Sequence, residues 1–598
     1  MAYQQNENGR NPRGDGGPGA RTERGPGGPE TQAGPGPEPV TKTGSGPEAA
    51  SAITPTPRAA APASPHRPAR RAVPRGRVAR CAAPALGLVL AASLLGAANP
   101  AEAARPTGAP GAPGASGAPG ARGGEALHWQ RCAIEGADPR QECATVRVPL
   151  DYARPNGRQI DIAVSRIRSE QPGDRHGALL LIPGGPGNSG LNGPSSKGQR
   201  LPSSVRGAYD LIGFDPRGVG SSTPVTCDLP HEQLATVNLR AWPDADGGLT
   251  GPVTRARTIA ETCARDGGEL ARHISTRNEA RDIDRIRRAL GEDKLSAWGH
   301  SYGTYAGSVY ARMFPDRTDR WVLDSNDDPN PRRVARQWQA NYAVGVEDSF
   351  PAFAAWATDP ANGPVVADRP EQVRPLFLRL AAELDRDPLP WPGANPDRLT
   401  GNHLRQVMLD SLGSPARFAF LAQVINAVRT GGALPAPGTQ PSDAFLRNNI
   451  AVAVATICND VSWPRSLPTY ERNVARDRAR HPLTAGMPAS VMPCAFWPYA
   501  PREPATRITD RGPANVLLVQ NLRDVSTPHS GVLRLRSAFG DRARMVSVDA
   551  TGHGAYMAVD GNACGDRLVT DFLVAGRRPA HDVTCADAAD IPSNRRAG

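Results

Sequence analysis

The stretch Lys294-Leu-Ser-Ala-Trp-Gly-His-Ser-Tyr-Gly-Thr-Tyr-Ala-Gly-Ser-Val-Tyr310 decides the fold. An apolar run ends at Trp298, the turn Gly299-His300-Ser301-Tyr302-Gly303 follows, and a helix pattern of small residues begins at Thr304. Strand, sharp turn and helix in that order form a nucleophile elbow, which presents a serine hydroxyl at the carboxyl end of a strand. Both flanking positions are glycine because side chains there would clash as the turn closes. With glycine this frequent, a bare G-x-S-x-G pattern arises by chance roughly a few tenths of a time in a chain of this length, so its surroundings must carry the reading.

Upstream, Val146-Arg-Val-Pro-Leu-Asp-Tyr152 and Gln159-Ile-Asp-Ile-Ala-Val-Ser-Arg-Ile167 alternate apolar and polar residues, the period of strands with one buried face. Gly177-Ala-Leu-Leu-Leu-Ile-Pro-Gly-Gly-Pro-Gly187 is a fully apolar strand running into a glycine-rich turn. Backbone N–H groups in such a turn can approach an oxyanion. Pro186 has none, so Gly185 is the first choice of donor and Gly184 the second. Tyr209-Asp-Leu-Ile-Gly-Phe214 is a further strand, and Thr276-x-x-Glu279 reads as a capping box opening a helix with Ala280, Ile283, Ile286 and Leu290 on one face. Arg320-Trp-Val-Leu-Asp-Ser325 supplies the strand after the elbow helix. Strands alternating with helices from Gly177 to Ser325 predict an α/β fold with a mostly parallel central sheet flanked by helices.

From Pro329 to about Pro504 the strand pattern gives way to helical segments at 332–357, 371–385, 402–412, 416–428, 445–457 and 470–480. A helical insertion of this size between strands of one sheet is a cap. Strand signals return at Ala514-Asn-Val-Leu-Leu-Val-Gln520 and Arg544-Met-Val-Ser-Val-Asp549, and each runs into a loop with a candidate catalytic group, Asp524 and His553. The chain order Ser301, Asp524, His553 is that of an α/β-hydrolase triad. A serine hydroxyl is a poor nucleophile at neutral pH, so His553 must accept its proton during attack and return it to the leaving group. Asp524 would fix the imidazole tautomer, and the N–H groups of Tyr302 and Gly185 would hold the oxyanion. His300, beside the nucleophile, reads as a packing or turn residue.

Composition divides the chain. Residues 1–80 are dominated by Gly, Pro, Ala and Arg and predict a disordered extension; 81–104 read as a signal peptide, and 105–126 as a flexible linker. The signal reading rests on the apolar run 85–98, five preceding arginines and the A-x-A site Ala101-Glu-Ala103; the run is rich in Ala and Gly and bounded by Pro84 and Pro100, which argues against a stable membrane anchor. So long an n-region predicts a native start further downstream. The folded part divides into a first core segment (127–328), the cap (329–505) and a second core segment (506–598). Net charge is +11, but twelve Lys and Arg against seven Asp and Glu lie in residues 1–104, and no basic stripe interleaved with aromatics points to nucleic acid. Cys81 precedes the apolar run; the eight later cysteines are an even number, as disulfides in an exported chain require, and no C-x-x-C pair suggests zinc. Nothing else in the sequence signals a metal, nucleotide or flavin, so no cofactor is expected.

Glu142-Cys-Ala-Thr-Val-Arg-Val-Pro-Leu-Asp-Tyr152, Pro183-Gly-Gly-Pro-Gly187, Gly213-Phe-Asp-Pro-Arg-Gly-Val-Gly-Ser-Ser222, Gly299-His-Ser-Tyr-Gly-Thr304, Cys458-Asn-Asp-Val-Ser-Trp-Pro464 and the Asp524 and His553 loops together carry a resemblance. The chain resembles the secreted tripeptidyl aminopeptidases of actinobacteria, in the prolyl-aminopeptidase-related branch of the α/β-hydrolases, over about residues 127–590. The resemblance implies a serine exopeptidase that removes short peptides from free N-termini; the signal peptide predicts an extracellular protein, and a monomer acting on peptide substrates is expected. It also points, as does the short loop each pair brackets, to the disulfides Cys132–Cys143, Cys227–Cys263, Cys458–Cys494 and Cys564–Cys585. An aminopeptidase needs a carboxylate for the substrate's α-ammonium. The cap offers Glu347-Asp348, which reads as a solvated helix face, and Asp460, held near a cysteine and therefore the sharper candidate. A carboxylesterase or lipase with the same triad is the competing reading. A non-catalytic binding protein on a hydrolase scaffold gives no reason to keep all three catalytic groups.

Overall fold

A computed structural model describes residues 127–558 and 561–586. The predicted extension, signal peptide and linker therefore lie outside the described residues. Ten strands form one sheet: β1 (Gln130–Arg131), β2 (Glu142–Pro149), β3 (Gln159–Ile167), β4 (Gly177–Ile182), β5 (Tyr209–Phe214), β6 (Leu295–His300), β7 (Thr318–Asp324), β10 (Val516–Arg523), β11 (Ala543–Thr551) and β12 (Val583–Cys585). The spatial order is β1-β2-β3-β5-β4-β6-β7-β10-β11-β12. β1, β2, β3 and β5 pair antiparallel along one side, and every pairing from β5 through β4 to β12 is parallel. Strands buried on both faces read as continuous apolar runs, as β4 does with all six residues buried.

The helices behind the sheet follow from their apolar periodicity. α1 is Thr250–Ala271, α2 is Thr276–Ala289 and α3 is Tyr302–Met313. In α2, Ala280, Ile283 and Ile286 are fully buried, as their spacing predicts. The capping box is not formed. Ser275 caps the helix through Asn278 N–H, and the Glu279 carboxylate accepts a 2.7 Å hydrogen bond from the Tyr302 hydroxyl instead.

Between β7 and β10 lie α4 (Val334–Trp356), α5 (Pro370–Arg386), α6 (Gly401–Ser411), α7 (Phe418–Thr430), α8 (Asp443–Asp460) and α9 (Leu467–Arg480). This segment contributes no strand to the main sheet, but it does contain a two-residue antiparallel ladder, β8 (Leu389–Pro390) with β9 (Arg398–Leu399), that apolar periodicity did not signal. Phe350, Phe353, Phe377, Leu380, Leu404, Met408, Leu421 and Ile425 give α4 to α7 a core of their own, whereas Leu446, Ile450 and Val454 of α8 belong to the core under the sheet. After β10 come α10 (His529–Phe539) and, beyond β11, α11 (Ala563–Ala575).

All four disulfides form in the sequential pairing, with Cα–Cα distances of 4.9, 4.5, 4.9 and 5.7 Å. Among the described residues no helix is long and apolar enough to cross a membrane.

Candidate active site

β4 lies between β5 and β6, and its chain returns to β5 on one side while that of β6 runs on to β7 on the other, so the connections leave the carboxyl ends of β4 and β6 in opposite directions and open a crevice there. The turn after β4, the elbow after β6 and the loops after β7, β10 and β11 all leave carboxyl ends of neighbouring parallel strands. Residues separated by hundreds of positions meet because their strands are adjacent.

Ser301 occupies the elbow with φ 58° and ψ −129°, a left-handed backbone that a side chain tolerates only under constraint. The constraint is visible in its neighbours. A Cβ at Gly299 would lie 2.6 Å from the Gly303 carbonyl oxygen, and one at Gly303 would collide with the Ile182 carbonyl of β4. The Ser301 carbonyl is held from below by Thr304, whose N–H and hydroxyl donate to it at 2.7 and 2.6 Å. Tyr302 is the first residue of α3, where an N–H has no acceptor within its own helix. Gly185 lines the same cavity as Ser301, and Gly184 stands so close that a Cβ on it would be 3.0 Å from the Ser301 Cβ.

Asp524 and His553 meet across β10 and β11. Both strands run further than their apolar cores suggest, because Arg523 donates to Thr551 at 2.8 Å and to Asp549 at 2.7 Å, which extends the pairing. Asp524 thus directly follows β10. His553 Nδ1 lies 2.9 and 3.0 Å from the two Asp524 carboxylate oxygens. The N–H groups of Ser526 and Thr527 and the Thr527 hydroxyl also donate to Asp524, at 2.9, 2.9 and 2.8 Å. Burial pushes the Asp524 carboxyl up, but the adjacent imidazole and these donors outweigh it and leave it below the ordinary value. Burial pushes His553 down, and Asp524, Asp327 and Asp324 together lift it above the ordinary histidine value. His553 Nε2 is buried without a hydrogen-bond partner. His300 packs its ring edge-on against that imidazole at 4.9 Å, and burial, then Lys197 and His553, hold it well below the ordinary value.

Sequence reading did not single out the residues that hold this arrangement. Asp324, at the end of β7, accepts from the N–H groups of Ala555 and Tyr556 at 2.8 and 3.1 Å, and Ser325 accepts from Gly554 N–H at 2.7 Å, so the β7 loop carries the histidine loop. Gln520 donates to the Thr527 carbonyl at 2.8 Å and accepts from Asn326 N–H at 2.7 Å. The available signal was the run Asp324-Ser-Asn-Asp-Asp328, five polar residues directly after a buried strand.

Asp460 lies elsewhere than its reading as an ammonium anchor requires. Its carboxylate accepts from Thr276 N–H at 2.9 Å and from the Thr276 hydroxyl, so it satisfies an orphan donor at the N-terminus of α2. It lines a different cavity, with Arg277, Arg281 and Arg502, while the cavity at Ser301 is lined by Asp327, Trp338, Tyr342, Trp463 and Met492 among others. Glu347 is paired with Arg374 at 2.5 Å, and neither it nor Asp348 reaches the Ser301 cavity. Among the described residues no group of His, Cys, Asp and Glu is arranged to hold a metal.

Sheet order, elbow and inserted helices define an α/β-hydrolase with a helical cap, and this chain is a serine hydrolase of that fold. It belongs to the tripeptidyl aminopeptidase family: it is 34% identical to the tripeptidyl aminopeptidase of Streptomyces lividans over 470 residues, 77% of this chain and 87% of that one. A family profile described as TAP-like protein matches residues 482–585, the part that holds Asp524 and His553. Serine protease Hip1 of Mycobacterium tuberculosis is 29% identical over 77% of this chain and 91% of its own length. A protein named carboxylesterase B, also from Mycobacterium tuberculosis, is 29% identical over 77% and 89%. The protein is a serine peptidase of the α/β-hydrolase family.

Proposed function

We propose that the protein is an exported serine exopeptidase that releases short peptides from free N-termini through an acyl-enzyme. The observation that supports this reading is the Asp524–His553 pair, 2.9 Å apart, whose Nε2 is buried and unpartnered and whose ring packs against His300, the residue before the elbow serine. In that reading Nε2 accepts the Ser301 proton as the hydroxyl attacks the scissile carbonyl. The negative oxygen of the tetrahedral intermediate takes hydrogen bonds from the N–H groups of Tyr302 and Gly185. His553 then gives the proton to the departing amine, and a water activated by the same imidazole frees the acyl group. Asp524 stays ionised throughout and stabilises the imidazolium. Residues 329–505 act as the cap, closing over the nucleophile and limiting how much chain fits on the acyl side. The three-residue product is inferred from the names of the Streptomyces relatives. Four disulfides support export, in line with the signal peptide read in residues 81–104.

The test is a hydrolysis panel of tripeptide amides with free and acetylated N-termini, beside short-chain esters. Cleavage confined to free tripeptide amides is expected. Equal rates on free and blocked peptides would remove the exopeptidase reading. Ester turnover with no peptide turnover would favour the carboxylesterase alternative, which the name of the carboxylesterase B relative supports.

A further inference from the structure

Of the carboxylates Asp324, Asp327, Asp328, Asp460 and Asp524, four have a described partner. Asp524 holds His553. Asp324 accepts from two backbone N–H groups of the histidine loop. Asp328, 1% exposed, is paired with Arg534 at 2.6 Å. Asp460 is bound to Thr276. Asp327 differs. It lines the cavity that contains Ser301, and its carboxylate takes no hydrogen bond from any described residue. A buried carboxylate in that condition needs a donor or a cation to offset its lost hydration.

Its position is nonetheless fixed. Asp327 N–H donates to the Thr304 hydroxyl at 3.0 Å, and that hydroxyl donates to the Ser301 carbonyl at 2.6 Å, so one side chain ties Asp327 to the nucleophile's own turn. On its other side the Asp328 carbonyl accepts from Trp338 Nε1 of α4 at 3.1 Å. Trp338, Tyr342 and Trp463 line the same cavity, and aromatic faces attract a cation electrostatically. An acid with no described hydrogen-bond donor, preorganised and beside aromatic rings, offers the recognition chemistry of an organic ammonium.

We propose that Asp327 forms the subsite for the α-ammonium of the substrate's free N-terminus, the place expected of Asp460 from sequence. The inference rests on the exopeptidase reading and names the residue that enforces it. Among the described residues the charged groups facing Asp327 are His553, Asp524 and Asp328; burial, with Asp328 and Asp524 adding and His553 opposing, pushes its carboxyl up to about 7. Anchoring therefore strengthens as pH rises through 7, and weakens again as the peptide's own amine, with a pKa near ~8, loses its proton.

The experiment compares kcat/KM for a tripeptide amide with that for its des-amino analogue, in wild type and in Asp327→Asn. The ratio of the two cancels whatever the substitution does to the reacting groups. Charge-assisted hydrogen bonds predict a wild-type ratio of about 10 to 100 that collapses toward one in the variant, chiefly through KM. A variant that keeps the wild-type ratio overturns Asp327 as the anchor and leaves the exopeptidase reading standing. A wild-type ratio of one overturns both. If Asp327→Asn does not fold, the wild-type profile decides: a ratio that does not rise between about pH 5.5 and 7.5 overturns the proposal.

Discussion

In the proposed mechanism Ser301, His553 and Asp524 would carry different parts of one proton transfer, and their surroundings bias each toward its part. The strained backbone at Ser301 (φ 58°) leaves its hydroxyl clear of its own helix. Replacing it with alanine is expected to lower kcat by about 10³-fold or more while the far-ultraviolet dichroism stays unchanged; a variant retaining a tenth of the rate would mean another nucleophile. His553 must be neutral to act as base, and its environment raises its proton affinity above that of an ordinary histidine. On the acid side, kcat/KM should therefore fall as pH drops through a midpoint above the usual ~6.5. A midpoint below that value would contradict the arrangement of Asp524, Asp327 and Asp324 around the imidazole. Asp460→Asn gives a contrasting expectation. It weakens the acceptor at the start of α2, lowering stability by about 1 kcal/mol, and leaves the preference for free N-termini intact. Urea denaturation beside the free and des-amino pair reads both.

At the scale of elements, the packing of α2 against α3 depends on a buried polar cluster. The Tyr302 hydroxyl donates to Glu279 at 2.7 Å and lies 2.9 Å from the Thr276 hydroxyl, and Thr276 in turn is held by Asp460 of α8. Burial, with Asp282 and Asp460 adding, lifts Glu279 to about 8, although the Tyr302 hydroxyl opposes it. Its folded value exceeds its unfolded one, so between the two the native state holds a proton that the unfolded state has released. Stability then declines as pH rises from about 4.5 to about 8. Glu279→Gln removes the titration and keeps an acceptor for the tyrosine. The melting temperature of the variant should fall less than that of wild type across this window and exceed it above pH 8. Parallel curves would show that Glu279 is ionised in the folded protein. Because Tyr302 also bears a proposed oxyanion donor, this cluster ties the first turn of α3 to both α2 and the inserted helices.

Across the whole molecule, the inserted helices α4 to α7 share a core separate from the one beneath the sheet, α8 packs into the latter, and covalent links reinforce the joints. Cys458–Cys494 ties the end of α8 to the segment leading back toward β10, and Cys227–Cys263 ties the loop after β5 to α1. Removing Cys458 and Cys494 together is expected to cost ~2–4 kcal/mol in urea denaturation. An unchanged midpoint would show that the link constrains nothing in the unfolded chain.

Much of this was legible because periodicity and turn chemistry are local. The buried strands β4, β6 and β10 announce themselves as apolar runs, the six inserted helices by spacing, and the elbow by glycines that a close backbone crossing demands. Ser301, Asp524 and His553 stood out as candidates because each follows such a run, and their chain order restricts how three strands can bring them together. The strand order, with β4 placed between β5 and β6, decided what no local pattern records: which loops share a crevice. The β7 loop became the support of the histidine loop because β7 lies between β6 and β10. Asp460 and Asp327 separate for the same reason. As sequence, each is an acidic residue at the end of an apolar segment. In the fold one meets the unsatisfied N-terminus of α2 and is neutralised by it, while the other faces the Ser301 cavity with no described donor. Partners at sequence distances of 184 and more fix the fate of a buried charge, because its desolvation cost is set by the groups that surround it in space.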